Sequence, residues 1–286
     1  MRTALADVLE RYRIDPARAE AIVREEFARN RDLARYIGRH SSAASLERTA
    51  AFRQILVEAR KRAYYELRRY KQDPERILSL SDRLANHPEQ QLSLLSEIAS
   101  KHVSTRERIA CADEFHSRVF SLLGEVRTIL DVGGGVHALL FPFFGAGAAV
   151  ERYIVADRDP VSIHAVNAFA STRKDSRLTG VVWDISEGWQ VLLDRVQICR
   201  FDAAFFLKLI PVVSRQQPHL LTTLLSTPAD QWVLTASTMS MTKYQDISRR
   251  ERALLKKFAA ASDRQIRGEF SAGNELGIVL RARRSL

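Results

Sequence analysis

Cysteine is scarce in this sequence, because the chain of 286 residues contains only Cys111 and Cys199. The two lie far apart, neither belongs to a C-x-x-C pair, and no histidines accompany them at the spacing of metal ligands. Disulfide scaffolds and structural zinc sites both need several such residues at close spacings. We therefore predict no disulfide framework and no metal site, as expected for a protein of the reducing cytoplasm.

Apolar runs that would export or anchor a protein are also missing. The stretch MRTALADVLERYRIDPARAEAI carries acids and bases every few residues and has no apolar core of signal-peptide length. The stretch from Val132 to Val150 has no charged residue, but consecutive glycines, His137 and Pro142 interrupt it. The sequence thus predicts a cytoplasmic protein without an export signal or a membrane span.

Acidic residues are in the minority, since 44 Lys and Arg stand against 34 Asp and Glu, which gives a formal net charge of +10. A basic surface of this kind attracts polyanions. Nucleic acid, acidic lipid or a merely soluble basic surface would each account for the sign. Charge alone therefore leaves the partner open.

The texture of the sequence changes near residue 100. Residues 1–100 are strongly charged and have helical periodicity. Residues 101–286 contain the short apolar runs TILDV, YIVAD, GVVWDI, DAAFFL, WVLTAS and GIVLRA, separated by segments of helix length. This alternation predicts a mostly parallel α/β sheet with helices on both faces. We therefore predict an all-helical N-terminal domain, residues 1–100, followed by a Rossmann-like α/β domain, residues 101–286.

One segment of the first domain, EARKRAYYELRRYK, combines many cations with tyrosines. Arginine and lysine neutralise phosphates, while tyrosine rings stack on bases or donate to phosphate oxygens. The segment is equally consistent with a solvated basic helix face whose tyrosines pack on a neighbouring helix. On the first interpretation, the predicted RNA-binding residues are Arg60, Lys61, Arg62, Arg68, Arg69 and Lys71.

The first apolar run of the second domain ends at Asp131 and leads into Gly133, Gly134 and Gly135. In open parallel sheets, ligands lie beyond the carboxyl ends of the strands, where the strand order reverses. The missing Cβ atoms would let a ligand approach the backbone N–H groups, although a plain tight turn needs the same glycines. The spacing D-x-G-x-G differs from the dinucleotide fingerprint, but Ala138 in the place of its third glycine keeps an NAD site open.

Two further apolar runs end in acids. Asp157, in YIVADRD, can accept hydrogen bonds from both hydroxyls of a ribose, and Asp184, in VVWDIS, can accept from an adenine amine. Acids at three successive strand ends would repel a pyrophosphate and attract a sulfonium cation. We therefore predict S-adenosyl-L-methionine as the cofactor in preference to NAD. Any one of these acids could instead cap a helix, and Asp159 before Pro160 fits that role best.

A segment before the first strand, HVSTRERIACADEF, fits a capping box at a helix start through Ser104 and Glu107. Its residues from His102 to Arg108 also resemble the segment that leads into the methyltransferase domain of the aminoglycoside-resistance 16S rRNA methyltransferases, the FmrO-like or Arm group. Three further stretches resemble that family in the same order, namely DVGGG, FLKLIPVVSRQQ and GNELG.

The resemblance implies an S-adenosylmethionine-dependent enzyme that methylates N7 of a guanine in the decoding site of 16S rRNA, within the 30S ribosomal subunit, and that acts as a monomer. Arg108 would pair with the methionine carboxylate of the cofactor, and the N-terminal domain would dock on folded rRNA. Lys208 and Leu209 would line the place where the base meets the methyl group. The cofactor-binding residues that the resemblance implies are His102, Arg108, Asp131, Gly133, Gly134, Gly135, Asp157 and Asp184.

Two segments depart from the family pattern. The family's G-L-N-P after the glycine turn is here Gly135-Val136-His137-Ala138, and the basic residue of its S-F-P-T-[RK]-S-[LI] segment is here Met239. Because both segments lie near the expected target-base pocket, methylation of another rRNA position or of a small molecule stays open as an alternative. A non-catalytic RNA-binding protein with a degenerate pocket and an NAD oxidoreductase are the remaining hypotheses.

Overall fold

The computed structural model of the chain describes residues 1–11, 14–30, 43–70, 74–87, 90–240 and 245–283. The chain divides by its internal contacts into two units, Met1–Gln72 and Asp73–Leu286. We refer to the first as the helical unit and to the second as the sheet unit.

The helical unit contains helices throughout its described residues. Asp15 accepts the N–H of Arg18 at 3.0 Å and Pro16 occupies the first helical position, so the second helix begins where its sequence predicts. Its apolar face, with Ile22 and Val23, is buried together with Phe52. The helices are α1 (Arg2–Arg11), α2 (Pro16–Arg29), α3 (Ala43–Glu47) and α4 (Ala50–Tyr70).

The sheet unit alternates strands and helices, as the sequence predicts. Its strands are β1 (Thr128–Val132), β2 (Arg152–Asp157), β3 (Leu178–Val182), β4 (Phe201–Phe206), β5 (Ala229–Ser237), β6 (Arg264–Ala272) and β7 (Glu275–Ala282). Its helices are α5 (Pro74–Asn86), α6 (Gln91–Lys101), α7 (Val103–Arg106), α8 (Ala112–Leu123), α9 (Pro160–Arg173), α10 (Trp189–Val196), α11 (Leu209–Gln216), α12 (Leu221–Leu225) and α13 (Ser248–Ala261).

All seven strands form one sheet in the order β3-β2-β1-β4-β5-β7-β6. Neighbours from β3 to β5 run parallel, whereas β7 is antiparallel to both β5 and β6. The chain moves outward from β1 to β3 and then crosses back to β4 on the other side of β1. The predicted Rossmann-like α/β class is therefore confirmed, and the order reverses between β1 and β4, which is where ligands bind in such sheets.

Alternate residues of the central strands enter different cores. Ile129 lies in an apolar cluster with Phe115, Phe141 and Tyr153, while its neighbour Leu130 lies in a second cluster on the other face of the sheet. Successive side chains of a strand point to opposite faces. The near-continuous apolar runs in the sequence thus follow from strands that are covered on both sides.

Helices α5 and α6 belong to the sheet unit by their contacts, although their charged, periodic sequence resembles that of the helical unit. Ile77 and Leu84 of α5 share the first apolar cluster with Ile163 and Phe169 of α9. The contact boundary thus falls between residues 72 and 73, earlier than the change in sequence texture near residue 100.

Candidate active site

The glycine turn lies at the reversal of strand order, directly after β1. Gly133 has φ +64° and Gly135 has φ +54°, a left-handed conformation that favours glycine. The N–H of Gly133 donates to the carbonyl of Ala156 on the neighbouring strand β2 at 2.8 Å. The turn is thus tied to the end of β2, and the next strand across from it is β4.

Side chains of the protein itself lie where Cβ atoms of this turn would point. A Cβ on Gly134 would meet the carboxylate carbon of Asp131 at 2.5 Å, and a Cβ on Gly135 would meet Nε2 of His102 at 2.4 Å. A Cβ on Gly133 would meet Leu209 at 3.0 Å. The three glycines therefore permit close internal packing of the site, whatever ligand approaches the turn from another direction.

Asp131 is completely buried beneath this turn. Its Oδ2 accepts hydrogen bonds from the hydroxyl of Tyr153 at 2.8 Å and from Nδ1 of His137 at 3.0 Å. Its Oδ1 is buried too and has no partner within the described residues. The acid that was predicted from the end of β1 is thus present at the turn, held on one oxygen and unpaired on the other.

Asp157 ends β2 on the same edge of the sheet. Its carboxylate accepts the N–H of Gly135 at 2.9 Å and the N–H of Asp159 at 2.9 Å. Burial raises the pKa of Asp157, and the nearby charges of Asp159 and Asp131 add to that effect against the two backbone hydrogen bonds. Asp159 itself caps α9 by accepting from the N–H groups of Val161 and Ser162, which confirms the capping interpretation of that residue.

Asp184 follows β3 and caps a short 3₁₀ helix, Ile185–Glu187. Its Oδ1 accepts hydrogen bonds from the N–H and the hydroxyl of Ser186, at 2.8 and 2.6 Å. These two bonds lower the pKa of Asp184, and the bond from the hydroxyl has the larger effect. Its neighbour Trp183 is buried and lies 4.9 Å from Trp189, ring centroid to ring centroid. Trp183 is therefore a core residue, and Asp184 is the polar group at this strand end.

Arg108 lies in a buried ion pair that the sequence does not suggest. Its Nε and Nη2 donate to the two carboxylate oxygens of Glu275, each at 2.9 Å, and the two side chains are 2% and 3% exposed. Burial by itself raises the pKa of Glu275, but the cations of Arg108 and Lys208 hold that pKa below its ordinary value. The residue expected to receive a cofactor carboxylate thus has a protein carboxylate as its partner in this structure.

Lys208 follows β4 with φ +60°, a conformation that is uncommon for a residue other than glycine. Its Nζ lies 2.5 Å from Glu107 Oε2 and 3.4 Å from Glu275 Oε2, and its N–H donates to Thr235 at 3.0 Å. Two carboxylates and two cations therefore form one cluster, which we call the charge cluster: Glu107, Arg108, Lys208 and Glu275.

The capping box predicted for the segment around α7 is wrong. The residue that precedes the helix is His102, and no side chain caps its first turn. The hydroxyl of Ser104 bonds to Nδ1 of His102 instead, and Glu107 bonds to Lys208. The same segment thus supplies His102 to the glycine turn and Glu107 to the charge cluster, because Ser104 bonds to its neighbour His102 and Glu107 pairs with the distant Lys208.

The sequence analysis gave no site role to Glu275, treated Glu107 only as a capping residue, and assigned no catalytic role to His137. Glu275 stands in the GNELG stretch, so the resemblance marked its position without giving it a role. His137 is a buried residue at the start of a 3₁₀ turn, His137–Leu140. Glu107 makes no capping bond in the structure and pairs with Lys208 instead. No spacing in the sequence indicates that pair.

The predicted RNA-binding cations of the helical unit are partly engaged by acids of the same unit. Arg60 donates to both oxygens of Asp7 at 2.6 Å, and Arg62 donates to Glu25 at 2.6 Å and Glu26 at 2.7 Å. Lys61 lies 3.5 Å from Glu58. The side chains of Arg68 and Arg69, and the whole of Lys71, lie outside the described residues.

Two classes of site receive no support within the described ranges. No group of three or more His, Cys, Asp or Glu side chains there could hold a metal ion. No helix in those ranges is long and apolar enough to cross a membrane.

Comparison with known proteins identifies proteins that are similar to this chain. Residues 64–265 match the model of the family described as ribosomal RNA methyltransferase (FmrO). A 16S rRNA (guanine(1405)-N(7))-methyltransferase of Proteus mirabilis is 30% identical over 82 residues, a match that spans only 29% of this chain and 29% of that relative.

Solved structures of rRNA methylases have a similar fold. The 16S rRNA methyltransferase RmtF, in complex with S-adenosyl-L-homocysteine, has a TM-score of 0.60 at 22% identity, and 99% of this chain and 98% of that chain are covered. The 16S rRNA methylase RmtB has a TM-score of 0.58 at 20% identity over 99% and 98%. An rRNA methylase from Escherichia coli has a TM-score of 0.58 at 21% identity over 99% of both chains.

Proposed function

The chain belongs to the FmrO family of ribosomal RNA methyltransferases, and from this premise we propose that it transfers the methyl group of S-adenosyl-L-methionine to N7 of a guanine in 16S rRNA. The name of the Proteus mirabilis relative supports both the RNA and the atom. We take the 30S subunit and its aminoglycoside-binding decoding site as the physiological target. The alternative is methylation of another rRNA position or of a small molecule, since the family's G-L-N-P and its basic residue are replaced here.

The observation that carries this proposal is the charge balance at the strand ends. Three carboxylates, Asp131, Asp157 and Asp184, follow the neighbouring strands β1, β2 and β3, and two more, Glu107 and Glu275, belong to the charge cluster. Two cations, Arg108 and Lys208, pair with only two of them. The remaining excess of negative charge suits a cationic cofactor and disfavours a pyrophosphate. These residues therefore fit S-adenosylmethionine better than NAD.

Each strand-end acid retains an acceptor for such a cofactor. Asp157 uses its two oxygens for one backbone N–H each, so each oxygen keeps a lone pair for a ribose hydroxyl. Asp184 takes both of its bonds on Oδ1, which leaves Oδ2 for an adenine amine. Arg108 uses Nε and Nη2 for Glu275, so its second terminal nitrogen, Nη1, is the group that could meet a cofactor carboxylate.

The proposed methyl transfer requires no proton transfer by the protein. S-adenosylmethionine supplies a methyl group on a sulfonium, and guanine N7 attacks it with a lone pair that carries no proton. The site therefore needs alignment and exclusion of water, not a general base. Lys208, held between Glu107 and Glu275, and Leu209, packed on Gly133, are the residues we assign to positioning the base.

The distribution of charge favours the helical unit as the surface that docks on RNA. Residues 1–72 contain seventeen Lys and Arg but only ten Asp and Glu, so they carry most of the net charge of +10. RNA attracts such a surface through its phosphates, and the attraction weakens with salt. Because Arg60 and Arg62 are engaged by acids, we assign docking mainly to the cations further along α4, Arg68 and Arg69, with Lys71 after it.

The decisive experiment incubates the protein with a tritiated methyl donor and 30S subunits and then maps the modified nucleotide. The proposal expects label at N7 of one guanine of 16S rRNA. Label at another nucleotide would establish the alternative rRNA target, and label that appears only with a small-molecule acceptor would refute an RNA substrate. Calorimetry without detectable binding of S-adenosylmethionine would refute the enzyme altogether.

A matched pair of variants tests the docking surface. Charge reversal at Arg68 and Arg69 is expected to lower 30S affinity and to reduce the salt dependence of binding by roughly one in log-log slope for each lost phosphate contact. Charge reversal at Lys256 and Lys257 of α13 changes the net charge equally in the sheet unit. Equal effects of the two variants would show that net charge, and not the helical unit, governs binding.

A further inference from the structure

His137 stands where the family pattern has an asparagine, and its ring is buried in the sheet unit. Its Nδ1 lies 3.0 Å from Oδ2 of Asp131. A carboxylate can only accept, so Nδ1 carries the proton of this hydrogen bond. Burial lowers the pKa of His137 against the opposing influence of Asp131, and a lowered pKa favours the neutral imidazole.

The two hydrogen bonds to Asp131 are arranged asymmetrically. Tyr153 and His137 both donate to Oδ2, whereas Oδ1 is buried and receives nothing. An ideal Cβ on Gly134 would lie 2.6 Å from Oδ2 and 2.8 Å from Oδ1, so the whole carboxylate lies against the glycine turn and the unpaired oxygen is part of that contact. A buried charged acceptor without a partner is costly, and native proteins reserve such groups for a ligand or an ordered water.

We propose that His137 is a positioning residue for the cofactor: it fixes Oδ2 of Asp131 so that Oδ1 faces the glycine turn and accepts an N–H or O–H of S-adenosylmethionine. This inference rests on the proposed function. The asparagine of the family pattern also carries an N–H donor at this position, so His137 replaces one donor by another. The departure from the family pattern would then preserve the role of the residue.

A neighbouring histidine separates this role from simple core packing. His116 stacks on His137 with ring centroids 5.2 Å apart, is equally buried, and has its pKa lowered by burial in the same way. Its Nδ1, however, bonds to the carbonyl of Ala112 at 2.7 Å and not to Asp131. Loss of either imidazole disturbs the same aromatic cluster, but only loss of His137 removes a hydrogen bond to Asp131 and leaves Tyr153 to hold Oδ2 by itself.

The test compares His137→Phe, His137→Asn and His116→Phe. Calorimetry measures the affinity for S-adenosylmethionine, thermal unfolding checks the fold, and methylation of 30S subunits gives kcat and the KM for the cofactor. His137→Phe is expected to weaken cofactor binding and raise that KM about tenfold, the value of one hydrogen bond to a charged group. His137→Asn is expected to restore most of the affinity, and His116→Phe to retain it.

Three results would overturn the inference: folded His137→Phe with wild-type affinity, His137→Asn no better than His137→Phe, or His116→Phe as weak as His137→Phe. The binding measurement needs no methyl acceptor. Wild-type protein that binds the cofactor but leaves 30S subunits unmethylated would therefore refute the proposed acceptor and leave the role of His137 intact. Wild-type protein without any cofactor binding would refute both.

Discussion

Replacement of Glu275 by glutamine is expected to lower the free energy of unfolding of the sheet unit by about 3–5 kcal/mol, because it leaves a buried cation without its counter-charge. Arg108 makes its two hydrogen bonds, each 2.9 Å, to the two oxygens that this change alters. Glutamine keeps the shape of the side chain but turns an NH₂ group toward the guanidinium donors. An arginine side chain does not lose its proton in proteins, so deprotonation cannot offset the loss of the counter-charge.

The size of this loss in unfolding free energy depends on how many charged contacts Arg108 and Lys208 each lose. Lys208 loses its 3.4 Å contact with Glu275 but retains Glu107 at 2.5 Å, so most of the cost falls on Arg108. Each hydrogen bond to a charged group contributes about 1.5–3 kcal/mol, and two are weakened together. Phe115, whose ring centroid lies 5.1 Å from the guanidinium carbon of Arg108, cannot replace a carboxylate.

Denaturant unfolding of Glu275→Gln and of Glu114→Gln checks this reasoning. Glu114 also pairs with an arginine, Arg118 at 2.7 Å, but these side chains are 49% and 51% exposed. An exposed pair of this kind contributes below about 1 kcal/mol. Equal losses in the two variants, or a loss below about 1 kcal/mol for Glu275→Gln, would refute the argument from burial.

Two further changes test the cofactor edge. Asp157→Asn is expected to weaken the affinity for S-adenosylmethionine, measured by calorimetry, about tenfold or more. The change removes a charged acceptor and gives the N–H groups of Gly135 and Asp159 a weaker partner. Unchanged affinity would show that Asp157 does not bind the cofactor. Gly135→Ala is expected to cost about 1–3 kcal/mol more in unfolding free energy than Gly124→Ala. Both glycines have positive φ, so the backbone strain is common to the two variants. A Cβ on Gly135 would lie 2.4 Å from Nε2 of His102, whereas a Cβ on Gly124 would meet no atom within 4 Å. Similar losses would show that the His102 side chain moves aside at little cost.

Much of the fold was predictable because its signals are local. Strands buried on both faces need continuous apolar runs, and β1 to β5 and β7 all have them. Strand β6, RQIRGEFSA, escaped prediction because it lies at the edge of the sheet, mostly exposed, with charged residues that protect an edge from further pairing. Strand β3 lies at the opposite edge and was still predicted from its apolar run GVVWDI, so the exposed charged residues of β6, and not its edge position by itself, concealed that strand.

The site was predictable only as far as its strand ends. Topology brings the carboxyl ends of parallel strands to one edge, so Asp131, Asp157 and Lys208 could be placed from the order of the strands. The partner of Arg108 could not, since Glu275 lies 167 residues away along the chain. Hydrogen-bond partners across such a distance depend on the packed structure, and no spacing in the sequence encodes them.

Acidification is expected to weaken cofactor binding before it weakens the fold, because the two key carboxylates have pKa values shifted in opposite directions. Burial above all raises the pKa of Asp157 from 3.8, whereas Arg108 and Lys208 outweigh burial and lower the pKa of Glu275 from 4.5. The stability contributed by Glu275 is fully present above pH 4.5 and is lost only as the pH falls through its lowered folded-state value.

Protonation of Asp157 has the opposite sign for stability, since a raised folded-state pKa makes the folded protein bind the proton more readily than the unfolded chain does. Between the two pKa values the protein should therefore be folded but carry a neutral Asp157 that binds the cofactor weakly. Calorimetry with S-adenosylmethionine and near-ultraviolet circular dichroism, followed together from neutral pH downward, measure the two events separately. In Asp157→Asn this loss of affinity should be absent, and simultaneous loss of binding and fold in the wild type would contradict the assignment, because one titration would then govern both.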